Sequence, residues 1–242
     1  MQLLDLFAGR AFRMGKGDNW RIVHPEMGAR RLTLNHGLHE PGQEFTQHLH
    51  DESEDMIVVL EGHGALRQGD TYTPIEAGEG IFVPVGEVHG TVNDSGAPAR
   101  LISFQAPPDP ALYAGKRDHA AGASPLPPAG HRSEVRILTL AKGGPALGQP
   151  GDWRCEVAAA QGARHLGLDH IRLRAHEELT HTATSAEEIF VVVDGSSTIQ
   201  ANGQPHPLAR YGVLFLQHGD RFVLRTEGEP VTLLRCYSLS QS

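Results

Sequence analysis

Four side chains with metal-ligand chemistry fall in two short stretches. His48 and His50 lie one residue apart in "HLHDESEDMIVVLEG", residues 48–62, and Asp55 follows in the same stretch. His89 lies in "GEGIFVPVGEVHGTVN", residues 78–93. Strand residues two apart point to the same face, so His48 and His50 aim together and Leu49 turns away. Two neutral imidazoles on one face suit a divalent cation, and a carboxylate adds charge neutralisation. The turn "DESE" can bring Asp55 beside them, with Ile57 and Val59 on its face. Gly80 to Val83 read as a strand, Pro84 and Gly86 turn the chain, and His89 begins the next strand. Asp51, Glu52 and Glu54 read as a solvated turn. His36, His39 and His63 read as surface or core-edge residues.

The elements that must position these residues are β. Aromatic residues make up 6% of the 242 positions, against 28 glycines and 16 prolines, a balance of short strands and turns. "RRLTLNHGL", "DMIVVLEG", "HGALRQG", "GIFVPVG" and "ARLISFQ" are short apolar or alternating runs with turn residues at their ends. Runs apolar at every position suit strands covered on both faces, as in two packed sheets. The formal net charge of −8 argues against a nucleic-acid surface, which needs a basic face. No apolar run reaches membrane-spanning length. "MQLLDLFAGRAFR" lacks the features of a signal peptide, and the only two cysteines, Cys155 and Cys236, read as reduced thiols, so a cytoplasmic chain is expected.

The pattern occurs twice. "HTATSAEEIFVVVDG", residues 181–195, aligns without gaps on residues 48–62. "NWR" at 19–21 faces "DWR" at 152–154, and "GARRLTLNH" at 28–36 faces "GARHLGLDH" at 162–170. Each copy is large enough for its own core, so two homologous domains are expected. The division predicted is 1–108, a connecting arm 109–134, and 135–242. The arm is rich in Pro, Gly and Ala, with one helical turn at "DPALYAG". "QANGQ" in the second copy carries the Asn-Gly hairpin signal.

These residues resemble the cupin family. Gly42, His48, His50, Asp55 and Gly62 match its first motif, and Gly78, Pro84, Gly86, His89 and Asn93 match its second at every spacing. The resemblance implies an all-β fold of two tandem double-stranded β-helix (jelly-roll) barrels, a bicupin. It also implies one divalent transition metal per chain (Fe, Mn, Ni, Co or Zn) on His48, His50, Asp55 and His89. The family acid is usually Glu, and Asp55 is one methylene shorter. Either Asp55 ligates, or three histidines and water hold the ion with Asp55 beside it as base or acid.

The second copy departs further. His48 maps to His181 and Asp55 to Glu188, but His50 maps to Ala183, and Phe222 or a neighbour occupies the position of His89. That barrel is expected to be metal-free, with His181 and Glu188 bonded to each other. A register change that returned His218 as a ligand is disfavoured.

An open site of three histidines is catalytic in style. The leading expectation is a dioxygenase-type oxidoreductase acting on a small oxygen-bearing molecule, with His48, His50 and His89 on the metal and Asp55 ligating or acting as catalytic base. The alternatives are a metal-dependent isomerase, lyase or decarboxylase in which Asp55 or Glu54 moves a proton, and a non-catalytic small-molecule or sugar-binding protein. Phe45, Ile57, Val59, Phe82 and Val83 are candidate walls, and Gln47, Thr91, Arg31 and Gln105 candidate polar contacts. The expected partner is a small-molecule substrate, with no nucleic acid or membrane, in a monomer or homodimer.

Overall fold

The computed structural model describes residues 1–119, 123–145, 151–201 and 203–239. Asn202 of the Asn-Gly signal lies outside them. The strands that it joins pair as a hairpin, with Ala201 opposite Gln204. In chain order the first strands are β1 (Gln2–Asp5), β2 (Arg10–Phe12), β3 (Asp18–Val23), β4 (Thr33–His39), β5 (Glu44–His48) and β6 (Glu54–Glu61). Then come β7 (His63–Gln68), β8 (Thr71–Glu76), β9 (Glu79–Val83), β10 (His89–Val92) and β11 (Ala99–Ala106). A one-turn helix α1 (Pro110–Tyr113) and β12 (Arg136–Thr139) follow. The rest are β13 (Gly144–Pro145), β14 (Asp152–Val157), β15 (Leu166–Leu173), β16 (Glu178–Thr182), β17 (Glu187–Asp194), β18 (Ser196–Ala201), β19 (Gln204–Ala209), β20 (Gly212–Gln217), β21 (Arg221–Thr226) and β22 (Val231–Ser238).

The fold is the all-β, twice-repeated jelly roll expected. The chain forms two compact units, one from residues 9–27 and 33–139, the other from 1–8, 28–32 and 140–242. The first unit, here barrel one, has a sheet β12-β9-β6-β11-β4-β3-β2 and a sheet β5-β10-β7-β8. The second, barrel two, has β1-β20-β17-β22-β15-β14-β13 and β16-β21-β18-β19. The match is strand for strand: β6 lies between β9 and β11 as β17 lies between β20 and β22. Each large sheet gains an edge strand, β12 on β9 and β1 on β20. As a statement about the repeats, the division 1–108, 109–134 and 135–242 stands as our proposal.

The apolar runs form central strands. Met56 to Val59 of β6 are all buried, as are Ile189 to Val192 of β17. Alternation sends Ile57, Val59, Leu101 and Ile81 into one cluster of barrel one. The glycine ending each motif-one copy has a steric cause. Gly62 and Gly195 have φ of 76° and 81°, and a Cβ on either would strike the carbonyl of Pro98 or Pro230. Cys155 and Cys236 are both free thiols. Among the described residues no helix is long and apolar enough to cross a membrane.

Glu54 corrects the reading of "DESE". Asp51 and Glu52 are exposed, but Glu54 is buried as the first residue of β6, opposite Ala106. The turn is one residue shorter than the acidic run. His36 and His39 are buried too, because β4 is covered on both faces, whereas His63 is exposed.

Candidate metal centre

β5 pairs with β10 so that His48 stands opposite His89. His50 follows just past the end of β5, and Asp55 enters from β6. All four are at most 4% exposed. One ligand atom from each lies within 4.8 Å of all the others. This is the set read from the two motifs.

The ring orientations are set from outside the cluster. His48 Nδ1 lies 2.9 Å from the Thr46 carbonyl, His89 Nδ1 2.9 Å from the Glu87 carbonyl, and His50 Nδ1 2.6 Å from Asp109 Oδ2. With an Nδ1–H on each acceptor, all three Nε2 atoms face the shared centre, and their lone pairs are free there once the proton on His50 is displaced. There His48 Nε2 and His50 Nε2 are 3.1 Å apart. Asp55 Oδ2 is 3.2 Å from His50 Nε2 and 3.4 Å from His89 Nε2. Ligands bonded at about 2.1 Å to one ion stand roughly 3.0–3.4 Å apart along the edges of its coordination polyhedron. Two converging imidazole lone pairs repel unless a cation or proton lies between them. The donor set, with Asp55 Oδ2 among the imidazole nitrogens, thus fits a divalent transition metal.

The electrostatics agree. Burial and the neighbouring imidazoles His89 and His50 keep His48 well below the usual histidine range. Burial also opposes charge on His50, but Asp55 and Asp109 outweigh it and raise its pKa to about 9. Burial would push Asp55 up, yet His50 and His89 hold it well below the usual carboxylate range. The metal-free cluster therefore stores one proton on a carboxylate-flanked imidazole.

Sequence reasoning missed Asp109 and Arg117. Asp109 is 4% exposed and does three things at once. Oδ2 meets His50, Oδ1 accepts the Ala111 N–H to cap α1, and its backbone N–H donates to Gln105 Oε1 at 2.8 Å. Arg117 Nε donates to Asp109 Oδ2 at 2.8 Å. The Gln105 amide is thereby fixed with Nε2 toward Asp55 Oδ1 at 3.1 Å. Asp109 lay hidden in "PPDP", which reads as linker. Asp109→Asn removes a charge from His50 but preserves size. We expect it to weaken metal binding roughly 10–100-fold, the usual effect of disturbing a ligand's own support, as titrated with a competing chelator.

A cavity adjoins the cluster, lined by Phe45, Ile57, Thr91, Leu101 and Leu112 among others. Phe45, Ile57, Thr91 and Gln105 are thus at the site. Val59 and Val83 belong to the core, and Phe82 packs beneath Arg136. Two expected contacts are corrected. Arg31 is exposed, and its backbone N–H binds Glu187. Gln47 spends its amide on the Pro125 carbonyl and the Gly69 N–H.

Barrel two keeps the frame without the site. His181 stands opposite Phe222, the register that places His48 opposite His89. Ala183 and Phe222 are core residues. Glu188 is saturated: Oε2 meets His181 Nε2 at 2.7 Å and Arg235 Nε at 2.8 Å, and Oε1 accepts the Thr184 and Ser185 N–H groups. His218 is exposed, with Nδ1 at the Thr184 carbonyl. Burial would raise the Glu188 pKa, but His181 and Arg235 win and lower it to about 2. The stability this gives is full above the ordinary glutamate range and fades as pH falls toward 2. Glu188→Ala leaves Arg235 and His181 short of a partner in the core. Loss of roughly 3–5 kcal/mol in urea unfolding is expected, with metal content unchanged.

Residues 38–104 match the family model described as cupin domain. The tetracenomycin polyketide synthase protein TcmJ of Streptomyces glaucescens is 29% identical over 96 residues, 40% of this chain and 64% of that protein. Polyketide synthase CurC of Streptomyces cyaneus is 28% identical over 100 residues, again 40% of this chain and 64% of its own length. The chain thus spans about 64% of the curated relatives it matches. Among solved structures, the protein Ylba of E. coli superposes with a TM-score of 0.75 at 11% identity, covering 98% of this chain and 90% of that one. A variant oxalate decarboxylase of Bacillus subtilis gives 0.69 at 11% identity, covering 98% and 77%. Salicylate 1,2-dioxygenase of Pseudoaminobacter salicylatoxidans, with gentisate, gives 0.67 at 16% identity, covering 90% and 72%. At these identities the likeness is one of fold.

Proposed function

We propose, from the premise that this chain is a bicupin belonging to the cupin superfamily, that it binds one transition metal on His48, His50, Asp55 and His89 and acts on a small oxygen-bearing molecule. The reaction proposed is of the dioxygenase type. One observation carries the reading: three Nε2 lone pairs and one carboxylate oxygen converge at ligand spacing beside a cavity with apolar walls. His48, His50, Asp55 and His89 would hold the ion, and the cavity beside them would receive the substrate. The metal, when bound, supplies Lewis acidity and, if redox-active, electrons for oxygen chemistry.

The chain's own residues then have separate tasks. The Nδ1 acceptors hold the imidazoles in one tautomer. Phe45, Ile57, Leu101 and Leu112 keep water from the reacting molecule. Asp55, kept ionised by His50 and His89 and bonded to Gln105, is the proposed proton acceptor. The same fold in salicylate 1,2-dioxygenase supports this reading by analogy only. The fold of oxalate decarboxylase supports a redox-neutral alternative, in which Asp55 moves a proton and no oxygen is used.

Anaerobic loading with Fe(II), followed by an oxygen electrode and a panel of catechols, diketones and keto acids, decides. Substrate-dependent oxygen uptake that is absent with Zn(II) is expected. Turnover without oxygen uptake transfers the assignment to the alternative.

A further inference from the structure

The cavity beside the metal cluster has a second end. Pairing of β4, β11 and β6 sets Asn35, Ser103 and Ile57 in one row, and Gly37 and Leu101 in the next. Asn19 of β3 stands opposite Gly37, and His39 lies two residues further along β4. Asn19, Asn35, Gly37 and His39 line the cavity that His48, Asp55 and His89 also line.

These side chains are buried and left wanting. Asn19, Asn35 and His39 are 3%, 6% and 2% exposed. Asn19 Oδ1, Asn35 Oδ1 and both ring nitrogens of His39 have no hydrogen-bond partner among the described residues. A buried polar atom without a partner is costly, so a fold retains it for a reason. Asn19 cannot relieve the cost by flipping, because its Nδ2 already donates to the Met14 and Gly17 carbonyls at 3.1 and 2.9 Å. Gly37 leaves the space between the groups open. A Cβ there would stand 3.2 Å from Asn19 Oδ1 and 3.3 Å from His39 Nε2. Burial lowers the His39 pKa to about 4, so the ring is neutral at pH 7, with one donor and one acceptor.

Barrel two is an internal control. By strand register, Asn19, Gly37 and His39 correspond to Trp153, Ile171 and Leu173, and Asn35 and Ser103 to Asp169 and Arg235. Trp153, Ile171 and Leu173 fill the space as core residues. Asp169 and Arg235 pair at 2.9 Å. Of these five residues only Trp153 keeps an unpartnered atom, its Nε1. One frame is packed shut with one unpartnered atom; the other, beside the metal ligands, keeps four.

We propose that Asn19, Asn35 and His39 form an uncharged subsite for the hydroxyl-bearing end of a neutral small molecule whose other oxygens reach the metal cluster. This rests on the metal reading above. Two asparagine oxygens call for hydroxyl donors, and the imidazole can both give and accept. Among the described residues no Lys or Arg lines the cavity, which disfavours a second carboxylate. The Asn35 and Gly37 rows lie two and four residues from the row of Asp55, or roughly 7 and 13 Å along the strands. A two-carbon diacid does not span that distance.

The test uses 2,3-dihydroxynaphthalene and 2,3,6-trihydroxynaphthalene as probes of full-length protein, metal-free and zinc-loaded, by titration calorimetry. The parent should bind the triol at least tenfold more tightly. Asn35→Leu and His39→Phe should bring the two probes within threefold of each other, with zinc affinity unchanged and melting temperature the same or higher, since each removes an unpaired buried group. Equal binding of the probes by the parent, or binding of neither, overturns the subsite and leaves ordered water as what satisfies these atoms. So does a preference that survives in both variants, or one lost together with a fall in melting temperature. Failure of the parent to bind zinc defeats the metal reading instead, because the probe preference is also read on metal-free protein.

Discussion

Metal-saturated protein should carry one transition metal ion per chain, and His50→Ala should carry none at the same free metal concentration. His50 is 1% exposed, pinned by Asp109, and its Nε2 stands 3.1 Å from that of His48. Alanine removes an imidazole and leaves Asp109 with Arg117 and the Ala111 N–H. The loss should exceed the roughly 10–100-fold that follows from disturbing a ligand's support. A stability readout gives the same answer without activity. Metal at about 100 times its dissociation constant adds about 2.7 kcal/mol to the folded state. That raises the melting temperature by roughly 5–10 °C in a protein of this size. His50→Ala should lose the shift. His181→Ala should keep it, since His181 is bound to Glu188 opposite Phe222. The same site predicts proton release. The His50 pKa in the metal-free cluster is about 9, so binding at pH 7 must expel that proton. Affinity should rise with pH up to about 9 and fall below it. Calorimetry in two buffers of different ionisation enthalpy counts the proton. Two metals per chain, one lost in His181→Ala, would overturn the single-site assignment.

The parts of this site that were legible in sequence share one property: they are local. The His-x-His pair, the acid five residues on and the Pro-x-Gly turn before His89 sit within two short strand–turn–strand stretches, where strand period and turn chemistry fix direction. What was illegible crosses the fold. Asp109 lies 59 residues from His50, in a proline-rich segment whose composition signals only a linker. His39 ends β4, which also carries His36 and is buried on both faces, so its immediate neighbours do not mark it as part of a site. The repeat itself misled at one point. "NWR" and "DWR" align by letter, but strand register places Trp153, not Asp152, in correspondence with Asn19. Trp20 stacks on His36 at 5.1 Å, while Trp153 lies 6.5 Å from His181. One letter pattern thus serves two different surroundings, because a shift of one residue in a strand exchanges its faces.

Asp55→Ala should cost nearly as much metal affinity as His50→Ala. Asp55 Oδ2 sits 3.2 and 3.4 Å from two ligand nitrogens, the spacing of a shared coordination sphere, and among the described residues no other carboxylate belongs to the cluster. The variant removes one bond and the only negative charge in direct contact with the ion. Asp55→Asn separates the two contributions, because it keeps the shape and an oxygen while removing the charge. If ligation dominates, Asn should recover part of the affinity. If Asp55 serves mainly to carry a proton, Asn should hold metal like the parent and lose turnover. Asp55→Glu is informative in the opposite direction. The aspartate already reaches, and Gln105 and Ser103 close in on its oxygens at 3.1 and 3.4 Å, so an added methylene has no gap to fill. No gain in affinity is expected from it, and crowding of Gln105 should weaken binding. A tighter site in Asp55→Glu, measured with a chelator of known affinity, would mean that aspartate stands back from the ion. Unchanged affinity and turnover in Asp55→Ala would reduce the centre to His48, His50 and His89.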